Sequence, residues 1–386
     1  MEKGKLAALS GVYQISILEY PVTDPVEGGL VIKTEAASIC GSDLHSMRSG
    51  SEKPKSIGHE FTGRIIAMDS RANEFIHSYG GTLAIGDRIT VYPHITCGKC
   101  DTCMTYGPGV CLVCDDFFVY GGFPFESKNF LNANPELSPH FKGGFGEYVH
   151  IFPNTFVWKV PDDMPSKIAS ILDPVAVAVR AIELATTEIG AIPEGISTTT
   201  CALVIGPGPI GIITAMILRF MGVERVILSG RRKKLEIGQD ISKAHDILNV
   251  DGLDTEQRVK KLLDMTDGGA NVVINCANHP SAQVEGLQMV RKLGTFVEVG
   301  LPFSMGPGNE VTVDLAKLVF ARNAKITSVV ANTPSTFDRA FRLLKKHKEL
   351  PFERLITHEF NSLEDLLPTI KKMGDSDYLK GVLLFE

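Results

Sequence analysis

Four cysteines close together constrain this chain more than any other feature. Cys97, Cys100, Cys103 and Cys111 are spaced C-x2-C-x2-C-x7-C, just after Val91-Tyr92-Pro93-His94. Thiolates at that spacing suit one tetrahedral ion, and zinc is the ion with no redox chemistry and no geometric demand of its own. Pro93, Gly98, Lys99 and Asp101 put the run in a loop and not in a core. Four protein ligands leave no open position, so this site is expected to brace the fold and do no chemistry. Cys114 falls outside the spacing and is expected to be a bystander. Cys201 and Cys276 lie in apolar surroundings and read as core residues.

Length and charge narrow the class. A chain of 386 residues is long enough for two domains with their own cores. Its 44% hydrophobic and 22% charged residues are ordinary for a globular protein. A net charge of −6 argues against nucleic acid or an acidic membrane surface as partner. No apolar run approaches the roughly 18 residues a membrane helix needs. Met1-Glu2-Lys3-Gly4-Lys5 lacks an apolar signal core, so the cytoplasm is the expected location. In that setting C-x2-C spacing favours metal over disulfide.

The texture changes part-way along the chain. Up to about residue 165 it looks β-rich, with strand-like runs at Val12 to Leu18, Leu30 to Ala36, Glu60 to Ala67 and Asp87 to Tyr92. From Ile168 helical spacing appears, and then short apolar strands alternate with helices. The strands are expected at Ala202 to Ile205, Arg225 to Leu228, Val272 to Ile274 and Thr295 to Val299. That alternation implies a parallel, doubly wound sheet. The tail reads helix, strand, helix, strand. Asp115 to Lys142, rich in Phe, Tyr, Gly, Asn and Pro, reads as an ordered loop insertion that either caps a site or packs between subunits.

A reactive zinc needs about three protein ligands and an open position. Cys40 and His59 are a soft thiolate and an imidazole in turn-like contexts, Cys40-Gly41-Ser42-Asp43-Leu44-His45 and Gly58-His59-Glu60. Asp173 puts a carboxylate into the apolar stretch Ile168 to Val179. Burying it unpaired is costly. Metal ligation resolves that, and so would a helix N-cap.

Gly206-Pro207-Gly208-Pro209-Ile210-Gly211 joins an expected strand to an expected helix, the context a dinucleotide turn requires. Gly206 allows the tight turn, Gly208 the close approach of a pyrophosphate, and Gly211 the packing of helix on strand. An NAD site wants an acidic residue at the end of the second strand to hold the ribose hydroxyls. Here that strand ends Ser229-Gly230-Arg231-Arg232-Lys233-Lys234. Gly230 stands where the acid belongs, and Arg231 or Arg232 can hold a 2′-phosphate bidentately. NADP(H) is therefore expected over NAD(H), against the plainer reading of a solvated basic helix start.

These motifs together resemble the zinc-dependent medium-chain alcohol and polyol dehydrogenases, in particular the sorbitol and threonine dehydrogenase branch. C-G-[ST]-D-x-H is met by Cys40 to His45, G-H-E-x-x-G by Gly58 to Gly63, and G-G-F-A-E-Y, in all but one position, by Gly143 to Tyr148. The resemblance covers nearly the whole chain. It implies an α/β fold with a β-barrel: a GroES-like catalytic domain, residues 1–173 with 329–386, and an inserted Rossmann domain, residues 174–328. It implies two zinc ions per chain, one structural and one catalytic. Cys40 and His59 would bind the catalytic ion, and Asp173 stands where the branch usually has glutamate. Asp173 then binds directly or through water, or Glu60 compensates. Asp43 would accept a hydrogen bond from His59. Gly300 and Leu301 would meet the nicotinamide amide, and Lys380 the pyrophosphate.

The implied activity is reversible oxidation of an alcohol to a ketone or aldehyde, the substrate being a secondary alcohol, polyol, or sugar or cyclitol derivative. Ser42 would take the alcohol proton and His45 would deliver it to solvent by way of the nicotinamide ribose. A homodimer or homotetramer is implied. The competing reading is an inactive NADP-binding structural or sensor protein of the same fold; Cys40, Ser42 and His59, all present, argue against it, and against a zinc-free quinone reductase.

Overall fold

The structure, a computed structural model, describes residues 2–107, 113–122, 133–186, 196–197, 199–300, 310–318, 320–329 and 332–385. The chain divides into two compact units. The first comprises 1–173, 331–348 and 356–386; the second comprises 174–330 and 349–355. Residues 349–355, which the sequence reading assigned to the first unit, go with the second. Phe352 and Leu355 are buried there, and the Arg354 guanidinium binds the Asp240 carboxylate at 2.5 Å.

The first unit is built on an eight-stranded mixed sheet. Its centre is the strand Leu30–Ser38, which runs Leu-Val-Ile-Lys-Thr-Glu-Ala-Ala-Ser and is buried at nearly every position. On one side it pairs antiparallel with Glu60–Met68, in register Ser38 to Glu60. On the other it pairs antiparallel with the tail strand Lys380–Leu384, in register Ser38 to Val382. Three distant parts of the chain thus meet at one sheet position. A three-stranded sheet, Gln14–Pro21, Lys3–Gly11 and Lys55–Ser56, lies beside it in sequence. The first of its long strands, Lys3–Gly11, is absent from the sequence reading. The core includes Ile32, Ile39, Met47, Phe61, Ile65, Val91, Phe118 and Phe145.

The segment read as a loop insertion begins as structure. Phe117–Val119 is a strand paired antiparallel with His94–Thr96. Phe118 and Tyr120 are buried and pack edge-on to each other. They therefore serve the core and are not available to cap a site. Phe123, Phe125 and Phe130 lie outside the described residues.

The second unit holds six parallel strands: β1 (Cys201–Ile205), β2 (Arg225–Gly230), β3 (Asp246–Asn249), β4 (Ala270–Asn275), β5 (Val290–Glu298) and β6 (Lys325–Ser328). Their spatial order is 3-2-1-4-5-6. That order is the doubly wound dinucleotide arrangement, which binds ligands beyond the carboxyl end of β1 where the winding reverses. Near-continuous burial along β1, β2 and β4 follows from strands covered on both faces.

Candidate functional site

Cys40 lies two residues past the central strand and caps the helix Gly41–Ser49. The cap is reciprocal: the Asp43 carboxylate accepts the Cys40 amide at 2.8 Å, and the Cys40 side chain faces the Asp43 amide. The thiol therefore sits at a helix N-terminus. His59 and Glu60 lead into the neighbouring strand, whose register sets Glu60 against Ser38. The result is a cluster of one sulfur, one imidazole and one carboxylate with ligand atoms within 4.8 Å of one another.

The electrostatics suit a cation. Burial pushes the His59 pKa down, but the Cys40 charge and hydrogen bond, with Asp43 and Glu60, carry it up to about 10. A sulfur, a nitrogen and a carboxylate are also a donor set zinc accepts with one position left open. The residues fit the metal.

Asp173 stands beside that trio and not within it. It is the second residue of the helix Leu172–Thr186. Burial, then the Glu60 charge, lift its pKa to about 6. The amide nitrogen of Asn332 donates to its Oδ1 at 3.1 Å, and the Tyr92 hydroxyl donates to the Asn332 carbonyl.

Two expectations for this neighbourhood change. Asp43 was expected to accept from His59; its carboxylate accepts from the Cys40 amide, which holds the thiol and not the imidazole. Lys380 was expected on a pyrophosphate; it is buried in the first unit with its ammonium 2.6 Å from Glu60, because its strand is woven into the central sheet. Ser38 also donates to Glu60.

Ser42 and His45 occupy one face of the helix Gly41–Ser49 at i and i+3 spacing. The Ser42 hydroxyl is buried with no hydrogen-bond partner among the described residues. Burial, then Arg48, hold the His45 pKa below its ordinary value. Two residues that the sequence reading gave no role belong here as well. Asn332 is one. The other is His94, whose pKa burial and then the His59 charge push down to about 3, and whose Nδ1 has no partner among the described residues. Its only signal was its place beside the cysteine run.

The second cluster unites Cys97, Cys100, Cys103 and Cys114. Cys114, read from spacing as a bystander, is a full member: its sulfur lies 3.9 Å from that of Cys100 and 3.6 Å from that of Cys103. Zinc–sulfur bonds of about 2.3 Å put tetrahedral sulfurs about 3.8 Å apart, so these spacings fit the ion. Backbone amides, of Asp115 first, bring the Cys100 thiol down to about 6, so one ligand is poised as thiolate. Burial pushes Cys114 up to about 12, a thiol that yields its proton only to a cation. Cys111 lies outside the described residues.

In the second unit the turn has the expected form. Gly206 has φ +99°, and a Cβ there would meet the backbone of Ala277 at 2.9 Å. A Cβ at Gly211 would lie 1.9 Å from the Gly206 carbonyl oxygen, whereas nothing stands within 4 Å of one at Gly208. The open side at Gly208 and the N-terminus of the helix Pro209–Phe220, with Ile210 in its first turn, together make a phosphate cradle. The Ser229 carbonyl accepts the Gly206 amide at 2.9 Å, tying β2 to the turn. Arg231 and Arg232 are exposed at the end of β2. The Gly300 amide is taken by Asn275 and Glu298. Leu301 lies outside the described residues.

Comparison with known proteins adds to this geometry. Residues 26–162 match the alcohol dehydrogenase GroES-like domain model, and residues 209–346 match the zinc-binding dehydrogenase model. Together they span well over half the chain. The chain belongs to the zinc-dependent medium-chain alcohol and polyol dehydrogenases. The first unit of this dehydrogenase carries the GroES-like domain and the second the Rossmann sheet. L-threonine 3-dehydrogenase of Bacillus subtilis (strain 168) is 26% identical over 395 residues, covering 100% of both chains. Sorbitol dehydrogenase of the same organism is 28% identical over 305 residues, covering 77% of this chain and 75% of its own. The crystal structure of an alcohol dehydrogenase from Thermotoga maritima superposes with a TM-score of 0.84 at 24% identity, covering 100% of each chain, and shares the fold.

Proposed function

We propose that this dehydrogenase oxidises a polar secondary alcohol, of the polyol, sugar, cyclitol or amino-alcohol kind, to its ketone with NADP+ as acceptor. The observation that supports it most is the contrast between its two metal clusters. Four sulfurs close one; the other, Cys40, His59 and Glu60, offers three donors and leaves a tetrahedral ion one position for a substrate oxygen. Zinc supplies Lewis acidity toward the substrate oxygen, and nicotinamide accepts the hydride. Two zinc ions per chain are part of the reading, with Cys97, Cys100, Cys103 and Cys114 holding the structural one. Asp173, oriented by Asn332, stands ready to exchange with Glu60 as third ligand.

Within this scheme the Ser42 hydroxyl would accept the alcohol proton as it gives up its own toward His45, and His45 would release a proton to water. Asp43 keeps the Cys40 backbone in place. Gly206, Gly208, Pro209, Ile210 and Gly211 take the phosphates, and Arg231 and Arg232 take the 2′-phosphate that the missing acid would repel. The names of the threonine and sorbitol dehydrogenases favour a substrate with hydroxyl or amino groups flanking the carbinol. No described helix is long and apolar enough to cross a membrane, and we place the enzyme in the cytoplasm. Leu315, Phe320 and Ile326, exposed on and before the edge strand β6, favour a homodimer or a homotetramer built from it.

The test is a panel of secondary alcohols, polyols and amino alcohols, each with NADP+ and NAD+, read by absorbance of the reduced cofactor. Turnover of at least one panel member, faster with NADP+, is expected. No turnover with any alcohol at full zinc loading would overturn the reading.

A further inference from the structure

The missing acid at the end of β2 has a steric cause in the turn itself. Gly230 is buried, and a Cβ built on it would lie 2.4 Å from both Cδ and Cγ of Pro207. Real Cβ contacts do not come that close. A pyrrolidine ring is not a flexible chain end that swings aside; its φ is locked. The backbone around Gly230 is equally fixed. Its carbonyl accepts the Val250 amide at 3.0 Å, it pairs with Asn249 of β3, and the preceding Ser229 carbonyl holds the Gly206 amide at 2.9 Å. The turn and the strand end are thus clamped on both sides of the contact. Neither partner retreats without breaking a strand or turn hydrogen bond.

We infer that Pro207 and Gly230 are an interlocked pair that determines cofactor selectivity: the Pro207 ring fills the space a carboxylate side chain at 230 would need. The acid that reads the adenosine ribose diol is excluded by packing, and the strand end is left to the exposed Arg231 and Arg232. The Asp251 carboxylate accepts the Arg232 amide at 2.9 Å, which ties it to the backbone at the start of the helix. The selectivity part of this inference rests on the NADP(H) reading above; the steric part does not.

The consequence is that a side chain at 230 requires the loss of the Pro207 ring. Gly230→Ala, Pro207→Ala and the double variant are made in the full chain, and the cofactor-free proteins are melted. Gly230→Ala is expected to lower the melting temperature by about 5 °C, or to prevent folding. The same change in the Pro207→Ala background is expected to cost less than half as much, or to restore folding. Equal costs in both backgrounds, or a double variant that also fails to fold, would overturn the lock.

Binding of NADP+ and NAD+ is then titrated on wild type, Gly230→Asp and Pro207→Ala/Gly230→Asp by quenching of protein fluorescence. The double variant is expected to shift preference toward NAD+ by at least about tenfold, whereas Gly230→Asp alone weakens both cofactors. If Gly230→Asp alone gives the clean switch, the lock is wrong. If wild type already prefers NAD+ while the melting coupling holds, the NADP(H) reading fails and with it the selectivity role, leaving the steric pair.

Discussion

The ammonium of Lys380 lies 2.6 Å from a carboxylate oxygen of Glu60, and both side chains are shut off from solvent. The partners are far apart in the chain and meet only because the tail strand joins the central sheet beside Leu30–Ser38. Glu60 is thereby held adjacent to the Cys40 and His59 ligand atoms. Removing the ammonium leaves a buried carboxylate unpaired, which costs about 3–5 kcal/mol. Lys380→Met should lose that much in denaturant unfolding of the metal-free protein. Glu60→Gln in the same background should recover most of it. Unchanged unfolding of Lys380→Met would mean that the pair contributes nothing.

Cys114→Ser should lower the zinc content by one ion per chain and lower the melting temperature, because a structural zinc contributes to folding directly. Cys276→Ser, which alters a half-buried thiol just past β4 and near Gly211, should leave the metal count alone. Zinc content measured by emission spectroscopy decides it. A Cys114→Ser protein with its full metal content would remove Cys114 from the site.

Ser42→Ala should reduce turnover by about 100-fold or more while zinc content and cofactor binding stay at wild-type levels. Its hydroxyl is buried, two residues along the chain from Cys40, with no hydrogen-bond partner in the described protein. Steady-state rates alongside cofactor titrations separate the two effects. Turnover within a few-fold of wild type would eliminate Ser42 as proton acceptor.

Away from the metal sites, His150 makes stability depend on acid. Burial, then His140 and Lys142, push its pKa down to about 4, against about 6.5 in an unfolded chain. The folded state therefore binds fewer protons than the unfolded one between those values, and stability falls as pH drops through that window. The contribution is fully present above about pH 6.5 and amounts to at most about 3 kcal/mol. His150→Gln should flatten the fall between pH 6.5 and 4 in unfolding free energy. An unaltered slope would mean that His150 does not carry it.

How far the sequence could be read depended on whether a feature was local. β1, β2 and β4 are continuous apolar runs covered on both faces, so their periodicity alone revealed them. The dinucleotide turn was legible because each glycine answers a local steric demand. Lys3–Gly11, with Leu-Ala-Ala-Leu at its centre, has none of the β-branched residues that mark strands and was missed. Phe117–Val119 is a strand only because His94–Thr96 pairs with it. The approach of the Cys114 sulfur to those of Cys100 and Cys103 depends on where the chain returns, which cysteine spacing does not encode. Likewise Gly230 read as a lost acid, and only the position of the Pro207 ring shows why no side chain stands there.

The central claim is that Cys40, His59 and Glu60 form an open zinc site at which the alcohol reacts, separate from the closed cysteine cluster. It is tested most directly by counting zinc and measuring turnover on wild type and Cys40→Ala in parallel. The account predicts two zinc ions per chain in wild type, one in Cys40→Ala, and alcohol oxidation lost with the missing ion. A Cys40→Ala protein that keeps both its full zinc content and its turnover would contradict it.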